Sequence, residues 1–330
     1  MLSRVADSVY WMSRYVERAE NVARFIAVNL QLLLDNPGGE AEQWAPLINT
    51  TGDHEDFARR YGEATREAAL HFLVMDPENP NSIFSCVCSA RENARTVREI
   101  ISSEMWLQLN KFYLTIKSAP KNLTQTDVLQ EFFTEIKQSS HLFTGITDAT
   151  MTHGEAWHFC RLGRKLERAD KTSRILDVKY YLLLRSSGDV GTPFDDIQWA
   201  AVLRSASAFE MYRKWHGRIS PRGVVDFLVL NREFPRAIQY CLANARDSLH
   251  AISGTPYGTY RNGPEKLIGQ LCSDLSFASV DEIISHGLHE YLDELQTRIN
   301  SVSAGIFETF FAFKAQQPQK RSARPLVQSQ

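Results

Sequence analysis

A charged stretch that occurs twice constrains this chain more than any other feature. Arg14 to Arg24 reads Arg-Tyr-Val-Glu-Arg-Ala-Glu-Asn-Val-Ala-Arg, and Arg164 to Arg174 reads Arg-Lys-Leu-Glu-Arg-Ala-Asp-Lys-Thr-Ser-Arg, ungapped and with the shared charges kept in sign. A second set of matches follows at one constant, slightly larger offset. Phe72-Leu73-Val74-Met75-Asp76 returns as Phe227-Leu228-Val229-Leu230-Asn231, and Gln43-Trp44-Ala45 returns as Gln198-Trp199-Ala200. Glu55, Gly62, Glu78, Pro80, Ile83, Cys86, Ala90 and Arg91 meet Glu210, Gly217, Glu233, Pro235, Ile238, Cys241, Ala245 and Arg246 at that offset. Separated matches on one offset point to an internal duplication, with a few residues gained after the second long helix.

The periodicity is helical from end to end. One stripe is Met12, Val16, Ala19, Ala23, Ile26 and Leu30, and it predicts a first helix over Ser3 to Asp35, stopped by Asn36-Pro37-Gly38-Gly39. Shorter helices are expected near 43–48, 53–61, 65–75, 82–103, 104–117 and 126–151. After a break at Thr152 to Gly154 come 155–185, 196–215, 221–230, 235–252, 264–277 and 280–313. Ser253 to Gly263 reads as an ordered surface loop. The expected fold is therefore all-α, a multi-helix bundle of two tandem, pseudo-twofold related repeats. Residues 1–151 form the first repeat and 152–313 the second, packed on the first as one compact unit, with a disordered tail over 314–330. The two long repeat helices would pair across the pseudo-axis.

On a helical wheel Arg14, Glu17, Glu20, Asn21 and Arg24 lie opposite the apolar stripe of the first helix. Arg164, Glu167, Asp170, Lys171 and Arg174 do so in the second, with Arg18 and Arg168 flanking. A solvated face would gain only about 0.2–0.5 kcal/mol per pair. Such a face has little reason to keep Arg14, Glu17, Arg18 and Arg24 unchanged between copies while the apolar stripe drifts. Two readings remain. The charges form a buried network where the helices meet, or they line a shared cleft in which arginines grip carboxylate or phosphate and glutamates act as acid/base groups or hold an amine. A zwitterionic, peptide-like ligand suits the second.

Composition narrows the partners. Net charge is −2 over 330 residues, so no bulk field argues for nucleic acid or an anionic membrane. Apolar runs such as Phe72 to Met75 and Tyr180 to Leu184 are too short to span a bilayer, and the chain enters an amphipathic pattern at once rather than a signal peptide. A cytoplasmic protein is expected, with Cys86, Cys88, Cys160, Cys241 and Cys272 reduced. No cofactor or metal is called for. A ferritin-like site needs Glu-x-x-His pairs, which Glu17 and Glu20 do not start, and His286 and His289 with Glu290 are a single helical turn with no second cluster. His153 and His158 read as polar residues at a helix start. No phosphate loop, serine elbow or Cys-His signature is present.

The stretch Leu2-Ser3-Arg4-Val5-Ala6-Asp7-Ser8-Val9-Tyr10-Trp11-Met12-Ser13-Arg14-Tyr15-Val16-Glu17-Arg18-Ala19-Glu20-Asn21 resembles the bacterial alpha-E domain family, as does Arg161 to Asp170. Arg91 to Arg95 and Arg232 to Arg236 are similar to that family's patterns too, and the likeness covers almost the whole chain apart from the tail. The resemblance implies an all-helical protein encoded beside an ATP-grasp ligase and a transglutaminase-like cysteine peptidase. It carries no settled activity. The expectation is an accessory or scaffold protein that binds the ligase or a peptide-like product in a charged cleft between the repeat helices. Two alternatives stay open: an enzyme of that pathway using Glu17 or Glu167 as acid/base with Arg14, Arg24, Arg164 or Arg174 as anchors, and a purely structural interaction module.

Overall fold

The computed structural model describes residues 1–35, 40–119, 126–183 and 193–312, and among them are fifteen α-helices and no strand. The first half runs α1 Ser3–Asp35, α2 Glu40–Thr51, α3 His54–Tyr61, α4 Arg66–Leu70, α5 Ile83–Thr96, α6 Ser103–Lys117 and α7 Thr126–Thr150. The second runs α8 Glu155–Leu183, α9 Pro193–Ser205, α10 Phe209–His216, α11 Pro221–Val225, α12 Ile238–Ser253, α13 Gly263–Phe277, α14 Val280–His286 and α15 Leu288–Ile306. The stop signal at Asn36 to Gly39, most of the loop after α8 and the tail from Lys314 lie outside the described residues.

Local rules account for the ends. Ser82, Ser102, Ser220, Asn262 and Ser279 stand at N-caps and accept a backbone N–H three residues on. Both Phe-Leu-Val segments widen into a π turn, His71–Met75 after α4 and Asp226–Leu230 after α11. Two expected helices are broken. The one over 196–215 divides between α9 and α10, where Ser207 takes φ 49°, and the one over 280–313 divides at Gly287, whose φ is 99°. The breaks are only three residues and one residue long, so apolar spacing alone does not reveal them.

The long helices α1 and α8 lie against each other at the centre. Around α1 pack α5 and α7, and around α8 pack α12 and α15. One cluster of buried apolar side chains runs through both halves, including Met12, Val16 and Ile26 of α1 with Leu162, Leu166 and Leu176 of α8. A glycine sets how closely the two helices approach. A Cβ at Gly163 would sit 2.4 Å from the Tyr10 carbonyl oxygen, so no larger residue fits this crossing without moving a backbone.

Candidate functional site

At that crossing the charged sides of α1 and α8 meet each other, with carboxylates buried among guanidiniums. Arg168 of α8 clasps Glu17 of α1, Nε to Oε1 at 2.9 Å and Nη2 to Oε2 at 2.6 Å. Arg18 of α1 returns the same grip on Glu167 of α8, Nε to Oε1 at 2.7 Å and Nη2 to Oε2 at 3.1 Å. Each Glu-Arg dipeptide thus exchanges arginines with the other. The side chains of Glu17 and Glu167 are 1% and 0% exposed, so their charges depend on these partners and not on water.

A second cation completes each carboxylate. Arg14 donates from Nε to Glu167 at 2.8 Å and is steadied by the Tyr10 hydroxyl at 3.0 Å. Glu17 takes its second cation from Arg236, whose Nη1 lies 3.1 Å from Oε1, and an amide from Asn21 at 2.9 Å. Arg236 sits in the short segment before α12, and Thr172 of α8 holds its carbonyl at 2.9 Å. The same guanidinium also donates to Glu20.

The network extends outward from both ends. Glu20 accepts from Arg24 at 2.6 and 2.8 Å and from Ser140 of α7 at 2.6 Å, and it lies 3.2 Å from His141. Arg24 also donates to the hydroxyl of Ser207, so the left-handed residue between α9 and α10 is tied to α1. In α8, Asp170 receives Arg174 Nε at 3.0 Å and Lys171 at 3.2 Å. Arg18 spends a further N–H on Asn81, which in turn donates to Asp53. Arg164 departs from the pattern, for its Nη2 reaches only to Asp148 at 3.4 Å and its buried Nε has no partner. It borders a cavity of about 10 Å³, room for one water, that Ser13, Glu17, Ser140 and Thr147 also line.

The electrostatics follow from this geometry. Burial works to raise the pKa of Glu17, but Arg168 and Arg236 outweigh it and hold the carboxyl below its ordinary value. Against the same burial, Arg18, Arg14 and Lys171 hold Glu167 well below, and Arg236, the His141 hydrogen bond and Arg24 do so for Glu20. Asp170 is lowered as well, burial being outweighed by Lys171 and Arg174. Burial pulls Arg236 down to about 10 despite the nearby Glu20, since Arg168 and Arg24 crowd it with like charge. One buried amine stands apart. Lys165, 4.5 Å above the Tyr240 ring, is pulled to about 8 by burial.

The structure places Arg14, Glu17, Arg18, Glu20, Arg24, Glu167, Arg168, Asp170 and Arg174 along this one ribbon of charge and leaves Arg164 at its edge. Wheel reasoning missed Arg236, Ser140, His141, Ser207 and Asn81, which arrive from other elements. Arg236 had a visible trace: at the constant offset it aligns with Asn81, so the second half carries a charge where the first has none. His286 and His289 fall on either side of the break at Gly287, and His289 lies 2.6 Å from Asp177 of α8. Among the described residues no three His, Cys, Asp or Glu side chains come close enough to hold a metal. No helix there is long and apolar enough to cross a membrane, and all five cysteines are free.

Fold and site define an all-α protein fastened at its centre by two Glu-Arg pairs that trade partners. The model of the Alpha-E family, described as a predicted alpha-helical domain with a conserved ER motif, matches residues 1–311, and the chain belongs to that family. Glu17-Arg18 and Glu167-Arg168 are the two places where Glu-Arg occurs in this sequence. Uncharacterized proteins of Mycobacterium bovis and Mycobacterium tuberculosis are 23% identical over 319 residues, which is 90% of this chain and 35% of each relative. The chain therefore spans about a third of the length of these curated relatives. No solved structure matches it.

Proposed function

We propose that this protein is an accessory or scaffold protein of an ATP-grasp and transglutaminase-linked pathway, with the Glu-Arg exchange as its internal fastener and its outer surface as its working part. One observation carries this reading: Glu17 and Glu167 are buried, each clasped by two arginines, with pKa values below the ordinary range. A carboxyl held ionised in this way is a poor proton acceptor, because taking a proton would strip two buried guanidiniums of their counter-charge. The cavity beside Glu17 has room for a water and not for a peptide-like product. The family likeness supplies the pathway, and the free cysteines agree with a cytoplasmic setting. The same reading holds that the two halves arose by duplication, which the recurring π turns and the exchanged Glu-Arg pairs support.

The test is co-elution of the purified chain with the ATP-grasp ligase encoded beside it, together with ligase assays with and without the chain. A stable complex, and no turnover of ligase substrate or product by the chain alone, is the expected result. Turnover by the isolated chain that Glu17→Gln abolishes at unchanged melting temperature would overturn the reading in favour of an enzyme.

A further inference from the structure

The two halves share a small helical framework whose outward faces differ. In the first, Phe57 and Tyr61 of α3 stack at 5.2 Å, Phe57 meets Phe72 edge-on, and Gly62 ends the helix at φ 75°. In the second, Tyr212 and His216 of α10 stack at 4.7 Å, Tyr212 meets Phe227 edge-on, and Gly217 ends the helix at φ 66°. On α3 the exposed side is closed by charge: Asp56 pairs with Arg59 and, at 3.0 Å, with Arg60, which also reaches Asp76 and Glu78. The corresponding positions of α10 carry Met211 and Trp215, 41% and 66% exposed, and Asn231 stands where Asp76 did.

Next to this apolar pair in the chain come Arg213, Lys214 and Arg218, all exposed, with no carboxylate of the described residues in ion-pair range, although the Arg213 guanidinium also lies 5.8 Å from the centre of the Phe209 ring. Arg222, a few residues on, is already matched with Asp281. An exposed tryptophan one helical turn from a methionine, beside cations that no carboxylate of the described residues neutralises, has the composition of an interface centre and not of a resting surface.

We propose that Met211 and Trp215 dock a partner protein that offers an apolar pocket rimmed by carboxylates, with Arg213, Lys214 and Arg218 answering the rim. This deepens the accessory reading and rests on it. Charge argues against a second copy of this chain, because a two-fold contact through this face would set the same three cations against themselves. Three cations between residues 213 and 218 are also too few to hold nucleic acid on a chain of net charge −2. In the mycobacterial relatives the matching region is 35% of a longer polypeptide, so there it stands joined to further protein.

The test is titration calorimetry of the purified ligase against the full chain and against Met211→Asp/Trp215→Arg, which restores the residues of α3. The variant is expected to bind at least 100-fold more weakly at unchanged melting temperature, and Lys214→Glu/Arg218→Glu is expected to flatten the salt dependence of binding. Hydrogen exchange on the unmutated complex, which needs no variant to fold, is expected to show protection over residues 209–222. Equal binding by wild type and variant, or protection confined to other segments, overturns this docking face and leaves the accessory reading standing. A wild-type chain that binds no ligase overturns both. Self-association, or binding of an RNA oligonucleotide, that the variant abolishes would give the face to another occupant and overturn the proposal as well.

Discussion

The two ends of the central charge ribbon reach the same balance by different routes. Glu167 receives Arg14 and Arg18 from one helix, four residues apart on α1, so a single rigid element supplies both guanidiniums. Glu17 receives only Arg168 from α8, and its second cation is Arg236 from the segment before α12. Arg164, the counterpart of Arg14, turns to the exposed Asp148 instead. What Glu17 and Glu167 share is two guanidiniums each, because an uncompensated buried charge is the costly state, whatever residue supplies the compensation. The Arg236 route also ties a third element into the crossing, since that guanidinium reaches both Glu17 and Glu20.

The largest effects should come from removing a shared carboxylate. Glu17→Gln and Glu167→Gln each leave buried guanidiniums unmatched and are expected to cost about 3–5 kcal/mol, read from urea denaturation. The pH dependence gives the sign of the same effect. Both folded-state pKa values lie below the ordinary 4.5, so the stabilisation is fully present above that value and is lost as pH falls through the depressed ones. Wild type should therefore lose stability steeply in acid, and each Gln variant should show a shallower slope over that range. An unchanged slope in both would remove the network from the account of stability.

The comparison between ends is sharpened by Arg14→Ala against Arg164→Ala. The first strips a buried partner from Glu167 and is expected to cost about 3 kcal/mol or more, while the second breaks a long contact to the half-exposed Asp148 worth about 1 kcal/mol or less. Equal losses would mean that the asymmetry seen in the hydrogen bonds has no energetic counterpart. A smaller difference is expected at the crossing itself. Gly163→Ala forces its new Cβ toward the Tyr10 carbonyl and should cost about 1–3 kcal/mol by overpacking, whereas Ser13→Ala, at the matching place on α1, should change the melting temperature little.

Much of this was legible in the sequence, and the reasons are local. Three-and-four apolar spacing, serine caps and the break at Thr152 to Gly154 decide helices and their order, and α1 falls on Ser3–Asp35 as the stripe from Met12 to Leu30 requires. The paired charged stretches also announced which side chains belong together. What stayed hidden was long-range. Ser140 and His141 reach Glu20 from α7, Ser207 reaches Arg24 from a break that periodicity does not register, and Arg236 arrives from far along the chain.

By itself, then, the sequence determined an all-helical chain with two matching charged helices, because helix formation and amphipathic patterning depend on neighbours within a turn or two. Only the tertiary structure decided that those helices turn their charges on each other, and that Glu17 and Glu167 exchange arginines. A helical wheel reads opposite stripes as buried and solvated. In α1 both are buried, because α5 and α7 cover one part of the helix while α8 supplies the counter-charges that make burial of the other tolerable.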